Sequence, residues 1–277
     1  MFYFEHKPSN RLGKYVEKIW YCEADNLNFK CLSAPIINHE LIINFSEQYN
    51  FQPVGNHNKK YLNPKSWISG LQTTPINIDS RGKHKMMGVL FKVHGLKAFI
   101  KYQARDFEQQ FIDPSLVFGA GYVHLLEWLE RDNSVQLRIK HLEAFLYNNL
   151  IDIEMPEYLK SCFRFFSLEN DERVTVKNAC RKFSISNKSL ISSFNKYVGT
   201  TPLKFLHLIR VNNAMRKICS DPKLSMTELA FKLNYADQAH FTHSFKSIVG
   251  LPPSQYSRAC SNNGIEKKSP NYIFHTG

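Results

Sequence analysis

A chain of 277 residues with 43% hydrophobic and 22% charged residues can bury two ordinary cores and is expected to be soluble and globular, neither fibrous nor disordered. Its net charge of +12 is unevenly spread: from residue 171 onward there are 16 Lys and Arg against 6 Asp and Glu, whereas residues 1–170 hold 20 against 18. A polyanionic partner, if charge is the guide, meets the last third of the chain.

The opening MFYFEHKPSN carries an acid and a histidine where an export signal needs a basic segment followed by an apolar run, so no export is expected. Apolar stretches elsewhere are interrupted well before the roughly 18 residues of a membrane helix, so no membrane span is expected. The six cysteines (22, 31, 162, 180, 219 and 260) include no Cys-x-x-Cys pair, which argues against a disulfide framework or a zinc ribbon. A cytoplasmic protein with reduced thiols and no cofactor is the expectation.

Residues 1 to about 120 predict short strands between Gly, Pro and Asn clusters, with 40–45 and 86–93 as the clearest strands. Helical spacing follows in Tyr122, Leu125, Leu126 and Leu129, and again in Val135, Ile139, Leu142, Leu146 and Leu150. These two amphipathic helices are expected to close a first domain, 1–153. Pro156 suits the first turn of a new helix reaching Phe166, and it opens a second domain, 154–260, followed by a tail, 261–277.

The second domain contains two copies of one pattern within residues 174–258. At an offset of 50, Val176, Ala179, Cys180, Phe183, Ile185 and Ser186 pair with Met226, Leu229, Ala230, Leu233, Tyr235 and Ala236. At an offset of 51, Leu190, Phe194, Gly199, Pro202 and Phe205 pair with Phe241, Phe245, Gly250, Pro253 and Tyr256. A short apolar-periodic helix, a polar break and a second helix ending at Gly make a helix-turn-helix unit, and Ser225 with Glu228 forms a capping-box pattern at the start of the second copy. The fold class is therefore α+β: a β-rich domain closed by helices, then an all-α domain of two helix-turn-helix units.

In such a unit the second helix can enter the major groove and present its exposed residues to the bases. The expected DNA-binding residues are Asn187, Lys188, Ser189, Ser192, Asn195 and Lys196 in the first unit, and Asp237, Gln238, His240, Thr242, His243 and Lys246 in the second. Leu190, Phe194, Phe241 and Phe245 face inward. Asn and Gln can pair with adenine and Lys can donate to guanine, while Ser, Thr and His bond bases or phosphates. Between the units, Pro202 to about Cys219 reads as one helix capped by Thr201, with Leu203, Leu206, Ile209, Val211, Met215 and Ile218 as packing positions. Some 18 residues span roughly 27 Å, of the order of one DNA turn. A plain helical bundle with polar outer faces is the alternative. The duplicated Gly-x-x-Pro ending and the local basic excess weigh against it.

Leu229-Ala230 through Asn234-Tyr235, Asp237-Gln238, His240-Phe241, Phe245, Gly250 and Pro253, with Arg210 and Ala214 between the units, resemble the AraC/XylS family of bacterial transcription regulators over about 100 residues. The resemblance implies sequence-specific double-stranded DNA as partner, with RNA polymerase as a further one. This sequence departs from the family at the turn glycines, here Ser184 and Asn234, and at the usual recognition-helix arginines, here Ser192 and His243. Residues 8–16, 68–75 and 89–95 resemble a sensor-type domain, which implies a β-rich, cupin-like part that takes a small-molecule effector or forms a homodimer.

Two rivals remain at this point. One is an architectural protein that binds DNA without sequence preference. The other is an enzyme whose β domain gathers a metal on His39, Glu40, His84 and His94. Trp20, Trp67 and Phe91 are candidates for an effector pocket and equally for plain core.

Overall fold

The computed structural model describes the chain except residues 10, 57–58, 133, 152, 169–173, 262–264, 266–269 and 275–277. Ten strands come first: β1 Phe2–His6, β2 Val16–Ala24, β3 Phe29–Ser33, β4 Glu40–Asn44, β5 Gln48–Pro53, β6 Tyr61–Leu62, β7 Ser66–Ser69, β8 Ile76–Arg81, β9 His84–Phe91 and β10 Phe111–Ile112. Helices α1 Ser115–Phe118, α2 Ala120–Arg131 and α3 Val135–Asn148 follow. The remainder is helical: α4 Glu157–Phe166, α5 Val176–Lys182, α6 Asn187–Tyr197, α7 Pro202–Ser220, α8 Met226–Lys232, α9 Gln238–Val249 and α10 Pro253–Ser261, then a last strand, β11 Tyr272–Phe274.

The strands form two antiparallel sheets, ordered β1-β2-β9-β4-β7-β10 and β11-β3-β8-β5-β6. Strand alternation sorts the first sheet's side chains between two cores. Ile19, Tyr21, Leu41, Ile43, Met87 and Val89 face α2 and α3, where they meet Tyr122, Leu125, Leu129, Ile139, Leu142 and Leu146. Their neighbours Trp20, Cys22, Ile42 and Met86 face the second sheet and pack with Tyr49, Phe51, Trp67 and Ile78. The result is a helix layer and two sheets. Gly88 on β9 makes room for Trp20, because a Cβ there would lie 2.6 Å from the indole ring.

A fourth layer covers the outer face of β3. Leu32 and Ala34, with Leu71, join the core of α7, α8, α9 and α10, and Ile273 of β11 joins it from the tail. Residues 272–274 thus return from the helical region and extend the second sheet: Tyr272 pairs with Ser33, Ile273 with Leu32 and Phe274 with Cys31. Asn271 fastens the junction, its amide donating to the carbonyls of Ala34 and Pro35 and to Asn212 Oδ1 on α7. Within the region read from sequence as a C-terminal tail, residues 272–274 form a strand whose partner lies some 240 residues upstream and is brought near only by the fold.

The expected elements 40–45 and 86–93 appear as β4 and β9, and the linker helix as α7. Three details differ. Pro156 sits outside α4 as its N-cap, since its ψ of 137° is not helical. Leu203 is 56% exposed, one position off the buried stripe. Phe91 belongs to the helix-side core, away from the space between the sheets that Trp20 and Trp67 share.

Both helix-turn-helix units rest on the β domain through their terminal glycines. Gly199 has φ +90°, and a Cβ there would stand 2.7 Å from the carbonyl oxygen of Ala104. Gly250 has φ +86°, and its Cβ would stand 2.9 Å from Leu32. The left-handed backbone suits glycine, and the close approach demands it. Replacing Gly199 with Ala is expected to cost ~2 kcal/mol or more, against ~1 kcal/mol for Gly55→Ala, where φ is +82° but nothing stands within 4 Å. Denaturant unfolding of the two variants checks this; equal losses would mean that the contact adds nothing to the backbone strain.

Beneath Gly199 lies His39, fully buried, with neither ring nitrogen hydrogen-bonded. Burial holds its pKa down to about 4, from 6.5. A depressed histidine pKa contributes stability that is present above about 6.5 and is lost as pH falls through the folded value. Between pH 7 and 4 the stability of His39→Leu, measured against the parent, is expected to improve by about 3 kcal/mol. A difference independent of pH would show that His39 does not titrate this way.

Candidate nucleic-acid interface

Each unit is built by the same local rules. Thr175 and Ser225 cap α5 and α8 by accepting from the amides of Asn178 and Glu228. The reciprocal Glu228 side-chain bond of a full capping box is not formed among the described contacts. The turns then pass through Ser184 at φ 51° and Asn234 at φ 60°. These are the positions where the sequence lacks the family's glycines, and the left-handed turn is kept in both. Asn adopts this region more readily than Ser, so the first turn is the more strained.

The second helices start at equivalent caps: Ser186 accepts from the amide of Ser189, and Asp237 from that of His240. This corrects the sequence alignment at one point. Ser186 corresponds to Asp237, not to Ala236, so the extra residue of the second copy is in the turn and precedes the helix. Asn187 then matches Gln238, Ser192 matches His243, and Asn195 matches Lys246. The inward faces are fully buried at Leu190, Phe194, Phe241 and Phe245. Matched serines are each held by a tyrosine: Ser193 by Tyr158 at 2.6 Å and Ser244 by Tyr235 at 3.2 Å.

The candidate readers divide by what their side chains already do. Asn187, Lys188, Ser189, Ser192 and Lys196 on α6 are exposed, as are Gln238, His240, His243 and Lys246 on α9. Asp237 is exposed but spends one carboxylate oxygen on the His240 amide at 2.7 Å, which makes it first a cap. Thr242 is half-buried, and Asn195 has its Oδ1 enclosed, so both present less to a groove than the sequence suggested. Lys196 holds its ammonium 5.1 Å from the centre of the Tyr197 ring. Thr227 on α8 was not singled out from sequence. Its hydroxyl donates to Gln238 Oε1 at 2.6 Å, which fixes the amide with its NH2 free to donate. No sequence spacing reveals this pair, 11 residues apart and joined only across the turn.

Arg210 of the linker helix donates to the carbonyl of Val174 at 3.1 Å, and its guanidinium lies 5.9 Å from the Tyr235 ring centre. It therefore ties the entry of the first unit to the turn of the second. α7 itself, 19 residues long, rises about 28 Å. The β domain grips the first unit through Glu108, which accepts from the Thr200 hydroxyl at 2.7 Å and from Lys204 at 3.2 Å.

The four residues of the metal reading do not share a site. His39 lies under Gly199, His84 bonds Ser80 between the sheets, and His94 stacks on Phe163 of α4, while Glu40 lies near Trp20, between the sheets. Among the described residues no group of three or more His, Cys, Asp or Glu side chains is placed to hold a metal ion, and no helix is long and apolar enough to cross a membrane.

Residues 179–259 match the model of a helix-turn-helix domain, and residues 4–113 match a domain of unknown function, DUF6597. The raffinose operon transcriptional regulatory protein RafR of Pediococcus pentosaceus is 25% identical over 145 residues, 52% of this chain and 46% of that protein. A putative AraC-like transcription regulator of Streptomyces lividans is 25% identical over 84 residues, 30% of this chain and 27% of its own length. The chain thus spans less than half the length of these relatives. Among solved structures, ToxT of Vibrio cholerae superposes with a TM-score of 0.48 at 10% identity, over 86% of this chain and 98% of that one. On the repeated units and these sequence matches, residues 179–259 form a tandem helix-turn-helix domain similar to those of AraC-type transcription regulators.

Proposed function

We propose that this protein is a sequence-specific transcription regulator that reads adjacent major-groove segments with α6 and α9. The observation that carries the reading is the duplicated exposure: two second helices, equivalently capped, bury their apolar residues and turn Asn187, Lys188, Ser192, Gln238, His243 and Lys246 outward. The basic excess from residue 171 onward supports a polyanion as partner. In this reading residues 1–153 form a sensor or dimerisation domain, residues 154–260 read DNA, and residues 261–277 are the tail. RNA polymerase is the partner on the promoter, and the cytoplasm the place of action.

For the small-molecule effector of this reading, the aromatic layer between the two sheets is the candidate place. Glu40 retains accessible surface there beside Trp20, and burial pushes its pKa up to about 7. An acid poised near neutrality among aromatic side chains supports recognition of a small ligand with a hydrogen-bond donor.

Random-duplex selection with the full-length protein, at salt high enough to suppress non-specific binding, tests the proposal. Two enriched elements about one helical turn apart are expected. Equal affinity for scrambled duplexes would replace the proposal with an architectural role.

Replacing Gln238 or Lys188 with Ala is expected to weaken binding to the selected duplex by roughly 1–3 kcal/mol and to leave binding to random duplex nearly unchanged. Thr227→Val, which frees the Gln238 amide to rotate, is expected to relax preference at the same base position. An equal loss on both DNAs would assign the residue to the phosphate backbone.

A further inference from the structure

The second helix-turn-helix unit is bracketed by two thiols. Cys219 stands in the last turn of α7 and Cys260 in the last turn of α10, and their sulfurs are 2.7 Å apart. That is inside van der Waals contact for two sulfur atoms and about 0.7 Å longer than a disulfide bond. Neither cysteine is held in a disulfide, and Cys219 is buried and Cys260 half-buried. The hydroxyl of the fully buried Tyr256 lies 3.6 Å from Cys219 Sγ and donates to the carbonyl of Pro270 at 2.6 Å, so the pair adjoins the start of the strand that returns to β3. Ser257, next to Tyr256, donates to the carbonyl of Pro222 at 2.6 Å, which holds α10 against the segment leaving α7.

We propose that Cys219 and Cys260 form an oxidative modification site, a dithiol that a peroxide converts to an intramolecular disulfide and that thereby braces the second reading unit. Cys260, the more accessible thiol, reacts first. Its sulfur, deprotonated, attacks one peroxide oxygen; the O–O bond breaks, a sulfenic acid forms, and the other oxygen leaves as water with the thiol's proton. Cys219 sulfur then attacks the sulfenic sulfur; the S–O bond breaks, the S–S bond forms, and the hydroxyl leaves as a second water with the Cys219 proton. Two electrons pass from the two thiols to the peroxide.

The ring closed in this way contains α8 and α9 whole. Since the sulfurs are nearly at bonding distance, closure leaves the recognition helix in place and removes freedom mainly from the unfolded chain. Contact with Cys219 and burial both hold the Cys260 thiol protonated, so the reaction is slow at neutral pH and accelerates as pH rises.

The test uses the full-length reduced protein treated with hydrogen peroxide and digested without reductant. A peptide pair linking Cys219 to Cys260 is expected, lost on reduction with dithiothreitol, together with a melting temperature roughly 5–10 °C above that of the reduced protein. Cys260→Ser, which keeps size and polarity, is expected to fold, to lose the linked pair and to show no rise on oxidation, whereas Cys180→Ser should behave as the parent. Absence of the linked pair, its replacement by another pairing, or a linked protein that melts no higher than the reduced one would overturn the proposal. None of these readouts depends on DNA binding, so they stand or fall apart from the proposed function.

Discussion

The docking of the helical region on the outer face of β3 is the constraint on which the rest of the molecule depends. One strand serves three partners: its inner face closes the aromatic core between the sheets, Leu32 on its outer face enters the core of α7 to α10, and its free edge receives β11. A β-sheet edge left open is a hazard, and here residues 272–274 cover that of β3. The second helix-turn-helix unit is consequently a layer of a larger body, seated on a sheet, and its distance from that sheet is set by Gly250.

The first unit is seated differently. Gly199 brings the end of α6 onto the backbone of Ala104 above the unpartnered ring of His39, and Glu108 gathers Thr200 and Lys204 beside it. One contact is apolar and continuous with a core, the other polar and anchored on a carboxylate. Across the second domain, α7 and the Arg210 bridge from Val174 to Tyr235 join the two units. β3 is thus a wall common to the core between the sheets and to the core of the second unit.

The second helices of the two units also show how a local rule survives a change of residue. The turn needs a left-handed residue, and Ser184 and Asn234 supply it without being glycine, since the apolar residues packed on either side hold the bend. The cap needs an acceptor three residues before the amide it satisfies, and Ser186 and Asp237 both provide one. Asp237 is thereby engaged first as a cap, while Thr227 orients the exposed amide of Gln238.

Much of this was legible in the sequence because it rests on short-range periodicity. Helical spacing, the duplicated Gly-x-x-Pro ending and the alternation in 40–45 and 86–93 each state which face is apolar, and burial followed those faces at Leu190, Phe194, Phe241 and Phe245. Sequence alone determined that there are two helix-turn-helix units and that Leu190, Phe194, Phe241 and Phe245 are their inward faces. Tertiary structure alone decided that Ser186 matches Asp237, that Asn195 is half enclosed, that His39 lies under Gly199, that Cys219 meets Cys260, and that residues 272–274 are a strand of the second sheet. The physical reason is common to all of these: each depends on contacts between residues distant in the chain or on a cap's hydrogen bond. Neither leaves a trace in local hydrophobic pattern.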